Sequence, residues 1–174
     1  ELEGVDFTEM RYEGYGPAGT AFIVEAVTDN KNRTASEMRM TFSRKDGNLG
    51  ADGAVSWMFK KKGIITVKSE GIDNDEFMMA ALEAGAEDVT EEEGYFEVTT
   101  EYTEFQTVLE NLKNAGYQYE EAEISMIPEN TVEITDLETA KKVMALYDAL
   151  EDLDDSQNVY SNFDIPDEIL EQLD

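Results

Sequence analysis

The 174-residue sequence contains no cysteine and no histidine. The lack of cysteine excludes disulfides, thiolate nucleophiles and cysteine-ligated zinc, and the lack of histidine excludes imidazole bases and ligands. Apolar runs are also short: stretches such as Ala21–Val24 fall far below the roughly 18 residues that a membrane span needs. The absences of cysteine and histidine exclude most of the common catalytic constellations. We predict a cytoplasmic protein with no cofactor, no metal site and no membrane partner.

Positive charge is scarce and unevenly distributed. The chain has 13 Lys and Arg against 41 Asp and Glu, for a net charge of −28. Residues 31–68 hold nine of those cations and only three acids, which gives this window +6 and leaves −34 on the rest. The nine are Lys31, Arg33, Arg39, Arg44, Lys45, Lys60, Lys61, Lys62 and Lys68. Because salt screens surface fields beyond roughly 8 Å, such a window can bind phosphate locally although the whole chain repels polyanions.

The first part of the chain predicts a hairpin followed by a helix. Residues 10–15 and 20–27 are β-prone and are separated by a turn rich in glycine and proline. A helix follows Asn30, with Met38 and Phe42 facing inward. Thr34 and Glu37 have the spacing of a capping box. At the same helix start, ordinary capping with an Arg33–Glu37 surface pair is the alternative to a phosphate site.

The middle of the chain alternates strands and helices in the order β-α-β-β-α-β, which is a split βαβ plan. Its clearest helix, over residues 101–115, places Phe105, Val108, Leu109 and Leu112 on one face. After Pro128 we expect a strand at 131–134, a helix capped by Thr135 and Glu138, and a strand at 158–163. In that helix the expected inward residues are Leu137, Ala140, Met144 and Tyr147.

Neither end of the chain has enough strands to close a core, but together the two ends would supply four strands and two helices. We therefore predict an α+β protein of two ferredoxin-like (split βαβ) domains, one inserted into the other. Residues 1–56 plus 129–174 form the discontinuous domain, and residues 57–128 form the insert. The sequence begins with Glu1 rather than Met, so we also expect a preceding segment.

Several motifs leave alternatives open. The stretch Arg11–Gly19 could present aromatic rings to nucleobases or be an ordinary turn. Asn32 and its neighbours at the helix start could bind a phosphate or only cap the helix. Trp57, beside Lys60–Lys62, could stack on bases or anchor a core. Acidic runs favour solvated surface over a metal site, and no carboxylate pair stands out as a hydrolase centre.

Three long motifs resemble the YebC/PmpR family. They are Arg11–Pro17, Thr28–Glu37 and Gly47–Phe59, and the similarity extends over essentially the whole chain. The resemblance implies an N-terminal helical domain followed by two α/β domains, the third inserted into the second. The basic N-terminal domain of the family has no counterpart in this chain.

The resemblance also implies a non-enzymatic regulator of gene expression, which we interpret as a DNA-binding transcriptional regulator. The alternative is a ribosome-associated translational activator that binds RNA, with ribosomal proteins as possible partners. Nucleic acid would be bound mainly through the N-terminal domain. The candidate contacts in this chain are Lys31, Asn32, Arg33, Arg39, Arg44, Lys45, Trp57, Lys60, Lys61 and Lys62, with a motif loop of Tyr12, Gly14, Tyr15, Gly16 and Pro17.

Overall fold

The computed structural model describes residues 6–173. Over these residues the chain forms ten strands and five α-helices. The strands are β1 (Thr8–Tyr15), β2 (Ala21–Thr28), β3 (Asn48–Leu49), β4 (Phe59–Lys68), β5 (Asp88–Glu92), β6 (Tyr95–Glu101), β7 (Glu121–Pro128), β8 (Val132–Glu133), β9 (Ser156–Ser161) and β10 (Phe163–Asp164). The helices are α1 (Lys31–Arg44), α2 (Asn74–Ala84), α3 (Phe105–Asn114), α4 (Leu137–Glu151) and α5 (Asp167–Leu170). None of the helices in this range is both long and apolar enough to cross a bilayer.

The chain divides into two compact units. Unit 1 comprises Glu1–Phe59 and Pro128–Asp174, and unit 2 comprises Lys60–Ile127. Both are built from sheets with helices packed against them. The predicted α+β class is thereby confirmed.

Unit 1 contains a four-stranded sheet in the order β3-β1-β2-β9. The predicted hairpin is confirmed: β1 and β2 pair antiparallel, with Tyr12 opposite Val24, and a 3₁₀ turn at Pro17–Gly19 joins them. On the far side of β2, β9 pairs antiparallel with Ile23 opposite Tyr160. Chain segments far apart in sequence are thus neighbours in one sheet.

The core of unit 1 lies between this sheet and helices α1 and α4. Phe22 from β2 meets Phe42 from α1 edge to face, with ring centroids 6.4 Å apart, and both rings are fully buried. Met38, Leu146 and Leu150 complete the same cluster with no exposed surface. Burial of a side chain of this size contributes about 1.5–3 kcal/mol, so the inner faces of α1 and α4 hold both helices on the sheet.

Two predicted helix caps are wrong. The cap of α1 is Asn30, whose side chain accepts a hydrogen bond from the Arg33 N–H at 3.1 Å. Thr34 lies inside the helix and is buried. The cap of α4 is Asp136, whose carboxylate accepts from the Thr139 N–H at 3.0 Å. In both cases the Asn or Asp immediately preceding the helix satisfies the first-turn donors, and the sequence spacing of a threonine and a glutamate was misleading.

Two details of the second half of unit 1 also differ from prediction. The buried residues of α4 are Ala140, Val143, Leu146 and Leu150. Ala140 was expected among them, whereas Met144 and Tyr147 pack only at the edge of the core. The strand expected at 131–134 does not join the main sheet, because β8 pairs parallel with β10. The fourth strand of the main sheet is instead the two-residue β3.

Unit 2 has the predicted β-α-β-β-α-β order, and its strands lie in the order β5-β6-β4-β7. The predicted inward face of α3 is confirmed, since Phe105, Val108, Leu109 and Leu112 are all buried. The helix itself is shorter than the predicted 101–115, because Tyr102–Glu104 form a 3₁₀ turn before it. Phe77 stacks on Phe96 with centroids 4.2 Å apart, which fixes α2 on the sheet.

Candidate nucleic-acid interface

Helix α1 and the residue directly after it present five of the eight Lys and Arg of unit 1 to solvent. Its buried residues, Thr34, Met38 and Phe42, recur at the spacing of one helix face. That face lies against the sheet, so the rest of the helix surface is exposed. The exposed cations on or directly after α1 are Lys31, Arg33, Arg39, Arg44 and Lys45. Asn32 is exposed beside them in the first turn.

Arg33 is held by two carboxylates of unit 1. Its guanidinium lies 3.0 Å from an oxygen of Asp29 and 3.1 Å from an oxygen of Asp155. The Arg33–Glu37 pair, one of the two alternatives for this helix start, is not among the ion pairs of residues 6–173, where Arg33 instead contacts Asp29 and Asp155. The hydrogen bonds to Asp155 and Asp29 raise the pKa of Arg33. Its charge is therefore locally balanced by acids.

Asp155 connects the start of α1 to the distant second half of unit 1. Its carboxylate accepts a hydrogen bond from the Thr34 hydroxyl at 2.7 Å as well as from Arg33. The Thr34 bond, followed by the Arg33 bond, lowers the pKa of Asp155 although partial burial opposes the shift. Its backbone oxygen also accepts from the Val27 N–H at 2.9 Å. Nothing in the local sequence around Asp155 distinguishes it from the neighbouring acids, and sequence reasoning missed it.

The other α1 cations lack such partners. Lys31, Arg39, Arg44 and Lys45 form no ion pair with any residue of the 6–173 range. The chain has a net charge of −28, yet none of its carboxylates within residues 6–173 forms an ion pair with these four exposed cations. They are available to an external anion.

The lysine run on β4 in unit 2 divides into three different environments. Lys62 lies between Glu87 at 2.7 Å and Glu101 at 3.1 Å, and its side chain is only 13% exposed. These bonds, that to Glu87 first, raise the pKa of Lys62. Lys61 lies over the ring of Tyr102, with its Nζ 4.8 Å from the centroid. Lys60 is exposed and forms no ion pair with the described part of the chain. Lys68, the last cation of the window, pairs with Glu120 at 3.0 Å.

The motif loop is built largely for packing. Tyr12 is buried in the unit 1 core, and its hydroxyl has no hydrogen-bond partner in the described structure. Burial, and then the charge of Asp155, raises the pKa of Tyr12. Pro17 is buried as well. A Cβ at Gly14 would lie 2.6 Å from the Asn48 oxygen, and one at Gly16 would lie 2.6 Å from the Phe22 ring. The two glycines therefore allow core side chains and backbone to approach the hairpin.

Tyr15 and Trp57 are the exposed aromatic residues of these motifs in unit 1. Trp57 is 69% exposed and Tyr15 is 38% exposed. The core-anchor interpretation of Trp57 is therefore wrong. The Trp57 indole N–H donates to the Ala54 carbonyl oxygen at 3.0 Å, and the Tyr15 hydroxyl donates to the same oxygen at 3.3 Å. Both side chains thus meet at one backbone atom.

Glu13 holds the loop that carries Ala54 and Trp57. Its carboxylate is buried and accepts three backbone N–H bonds: from Gly53 at 2.8 Å, Val55 at 3.0 Å and Ser56 at 2.6 Å. Burial alone would raise the pKa of Glu13, but the three N–H donors outweigh it and lower the pKa below its ordinary value. Strand alternation with Glu9 and Arg11 predicts an exposed side chain, so sequence reasoning missed this role. The loop covers the outer face of β1 at this position, so the Glu13 side chain is buried where alternation alone would expose it.

A groove of about 710 Å³ lies on the outer side of the unit 1 sheet. Three carboxylates line it with a single cation, Arg11. This charge disfavours phosphate, so the groove is distinct from the basic surface of α1. Its lining consists of Glu9, Met10, Arg11, Glu25, Ala26, Val27, Asp52, Gln157 and Asn158.

Comparison with known proteins identifies the relatives of this chain. The family described as "TACO1/YebC second and third domain" matches residues 7–163. The chain belongs to the TACO1/YebC family. A "probable transcriptional regulatory protein" of Fusobacterium nucleatum subsp. nucleatum is 97% identical over 174 residues, which are the whole of this chain and 70% of that protein. A protein of the same description from Halothermothrix orenii is 51% identical over 99% of this chain and 69% of its own length.

A solved structure is also similar to this chain. The crystal structure of a conserved hypothetical protein from Aquifex aeolicus superposes with a TM-score of 0.86 at 49% identity, and the match covers 98% of this chain and 70% of that one. The predicted family membership is confirmed. Which side chains of this TACO1/YebC chain contact nucleic acid stays a prediction.

Proposed function

We propose that this chain is part of a non-enzymatic transcriptional regulator that contacts duplex DNA through the exposed cations of α1. The observation that carries the proposal is the set of four α1 cations, Lys31, Arg39, Arg44 and Lys45, that have no carboxylate partner within residues 6–173. Family membership supports it, because curated relatives are named probable transcriptional regulatory proteins.

The number of available cations and the net charge of the chain determine how tightly it binds duplex DNA. Lys and Arg that neutralise phosphates release condensed counterions, so affinity falls steeply with salt. With four available cations and a net charge of −28, this chain alone binds duplex weakly. A basic domain preceding it in the full-length protein would supply most of the affinity. Residues 1–56 with 129–174 and residues 57–128 are the two domains that we propose follow it.

The ion pairs of the chain refine the set of contacts. Lys60 and Lys61 also form no ion pair within residues 6–173, and we propose them as separate phosphate contacts of unit 2. Arg33 and Lys62 each lie between two carboxylates. Contact of either residue with phosphate requires the displacement of an acid, so their contribution to affinity is smaller.

The test compares salt dependence in two charge-matched double variants of the full-length protein. Arg39→Gln with Arg44→Gln removes two available α1 cations, and Lys141→Gln with Lys142→Gln removes two cations from α4 in the same unit. Fluorescence anisotropy with a labelled duplex gives log K against log salt. Each lost phosphate contact reduces the slope by about 0.9, so we expect a reduction of about two for the α1 variant and none for the α4 variant. Equal slopes in all three proteins would refute the proposed interface. Co-sedimentation with ribosomes and no duplex binding would favour the translational alternative.

A further inference from the structure

The strongest unassigned feature of unit 1 is the pair of exposed aromatic side chains that share one acceptor. Trp57 and Tyr15 come from different parts of the chain and converge on the Ala54 oxygen. Exposed aromatic rings normally gain stability by burial. Here the Trp57 indole N–H and the Tyr15 hydroxyl are both hydrogen-bonded within the protein, while much of each side chain stays exposed to solvent.

The backbone beneath this pair is fixed by Glu13. The Glu13 carboxylate binds three loop N–H groups, and its backbone oxygen accepts from the Gly50 N–H at 2.8 Å. A 3₁₀ turn at Ser56–Met58 then sets the direction of Trp57. Because the position of Ala54 is determined by these bonds, the two aromatic side chains are ordered before any ligand arrives. Ordering in advance lowers the entropic cost of binding.

The charges near the pair favour a polyanion over an apolar partner. Asn48 pairs with Tyr15 between β3 and β1, and Arg44 and Lys45 lie just before it in the chain. Within unit 1, residues 31–59 hold five cations against three acids, Glu37, Asp46 and Asp52, in a chain that is otherwise strongly acidic.

We propose that Trp57 and Tyr15 form a stacking platform for unpaired nucleobases, with flanking cations that contact the phosphates. This inference extends the proposed function, because it assigns the same chain a site for single-stranded nucleic acid beside its duplex contacts. Stacking on an aromatic ring tolerates every base, since each has a π-face, and needs bases that are not already stacked in a duplex. The platform therefore prefers unpaired strands to duplex and binds them with little dependence on base sequence.

The experiment uses the fact that Trp57 is the only tryptophan of this chain. Its emission is followed while the 174-residue chain is titrated with a short oligothymidine, a short oligouridine and a closed duplex hairpin. We expect both single strands to quench the emission and the duplex to leave it unchanged. The two single-strand arms distinguish a DNA source of unpaired bases from an RNA source.

Binding of labelled oligonucleotide to variants gives a second readout. Trp57→Ala removes an exposed ring and should weaken single-strand binding roughly fivefold or more, because stacking contributes about 1–3 kcal/mol per base. Tyr15→Phe keeps the ring and should bind within about twofold of the parent. The control is Tyr95→Ala in unit 2, which removes an exposed aromatic ring outside the pair and should leave binding unchanged.

Three results would overturn the inference. They are no quenching by either single strand, equal quenching by the duplex, and unchanged single-strand affinity in Trp57→Ala. Quenching by an apolar peptide without quenching by oligonucleotides would overturn it in favour of a protein partner. Failure of the α1 salt-slope test leaves these readouts intact, because they follow Trp57 emission and the Trp57→Ala variant in a chain that keeps Arg39 and Arg44. The two proposals can thus fail separately.

Discussion

Replacement of Glu13 by Gln tests the best-defined polar anchor in unit 1. The side chain is only 2% exposed, and one oxygen accepts from Val55 and Ser56 while the other accepts from Gly53. A glutamine of the same shape keeps one acceptor oxygen. Its NH₂ group faces an N–H donor at the other position, so at least one donor, the partly buried Gly53 N–H in the better orientation, loses its partner.

The expected loss follows from these contacts. Hydrogen bonds to a charged group contribute about 1.5–3 kcal/mol, and a buried donor left without a partner costs about 1–3 kcal/mol. We therefore expect Glu13→Gln to lower the free energy of unfolding by about 2–3 kcal/mol at neutral pH. Urea denaturation, monitored by Trp57 fluorescence, measures this free energy, because Trp57 lies in the loop that Glu13 holds. Glu9→Gln, on the same strand with an exposed side chain, is the matched control and should change stability by less than about 0.5 kcal/mol.

The pH dependence provides a second check on the same residue. The folded pKa of Glu13 lies below its ordinary value of 4.5. The contribution of the carboxylate is therefore complete above that ordinary value and is lost as the pH falls through the lower folded pKa. The stability difference between the parent and Glu13→Gln should narrow only in this acidic range. A constant difference down to the acid limit, or no difference at neutral pH, would refute the anchoring role.

Three further predictions concern other contacts. Asp155→Ala should lower the free energy of unfolding of unit 1 by about 1–3 kcal/mol in urea denaturation, because Thr34 and Arg33 lose a shared acceptor. Asp154→Ala, at the exposed neighbour, is the control. Equal effects of the two substitutions would contradict the role of these Asp155 contacts. Gly16→Ala should lower the free energy of unfolding by about 1–3 kcal/mol, since the new Cβ would lie 2.6 Å from Phe22 and 2.8 Å from Leu146. A melting temperature equal to that of the parent would contradict this prediction, because it would show that the two side chains move aside without loss of stability. Lys62→Gln should destabilise unit 2 by up to about 1 kcal/mol, because Glu87 and Glu101 would lose the cation between them, whereas Lys60→Gln should not; circular dichroism melts of both variants measure the difference.

The sequence predicted those elements whose signal is local and repetitive. The inward face of α3 follows from four apolar residues at helical spacing, and the β1–β2 hairpin follows from two β-prone runs around glycines and a proline. Helix starts were predicted less well. The pairs Thr34–Glu37 and Thr135–Glu138 have the right spacing for a capping box, but Asn30 and Asp136 precede the helices and take the role.

In the candidate site too, features set by neighbouring residues could be predicted, whereas contacts between segments distant in sequence could not. Exposure of the α1 cations could be predicted, because the apolar stripe of the helix fixes which side faces water. The partners of Arg33 could not, because Asp155 is separated from it by 122 residues in sequence. Burial of Glu13 likewise depends on a loop some 40 residues later. A residue that contacts a distant segment carries no sign of that contact in its own neighbourhood.

The pairing of β2 with β9 has a consequence for biosynthesis. The Ala21 N–H donates to the side chain of Asn162, 141 residues further along the chain. At translation rates of 5–20 residues per second, β2 is made roughly ten seconds before the strand that covers its edge. All of unit 2, Lys60–Ile127, is completed within that interval. Unit 2 can thus fold first, while the β1–β2 hairpin still has one unpaired edge, and the sheet of unit 1 is completed only when β9 has been made.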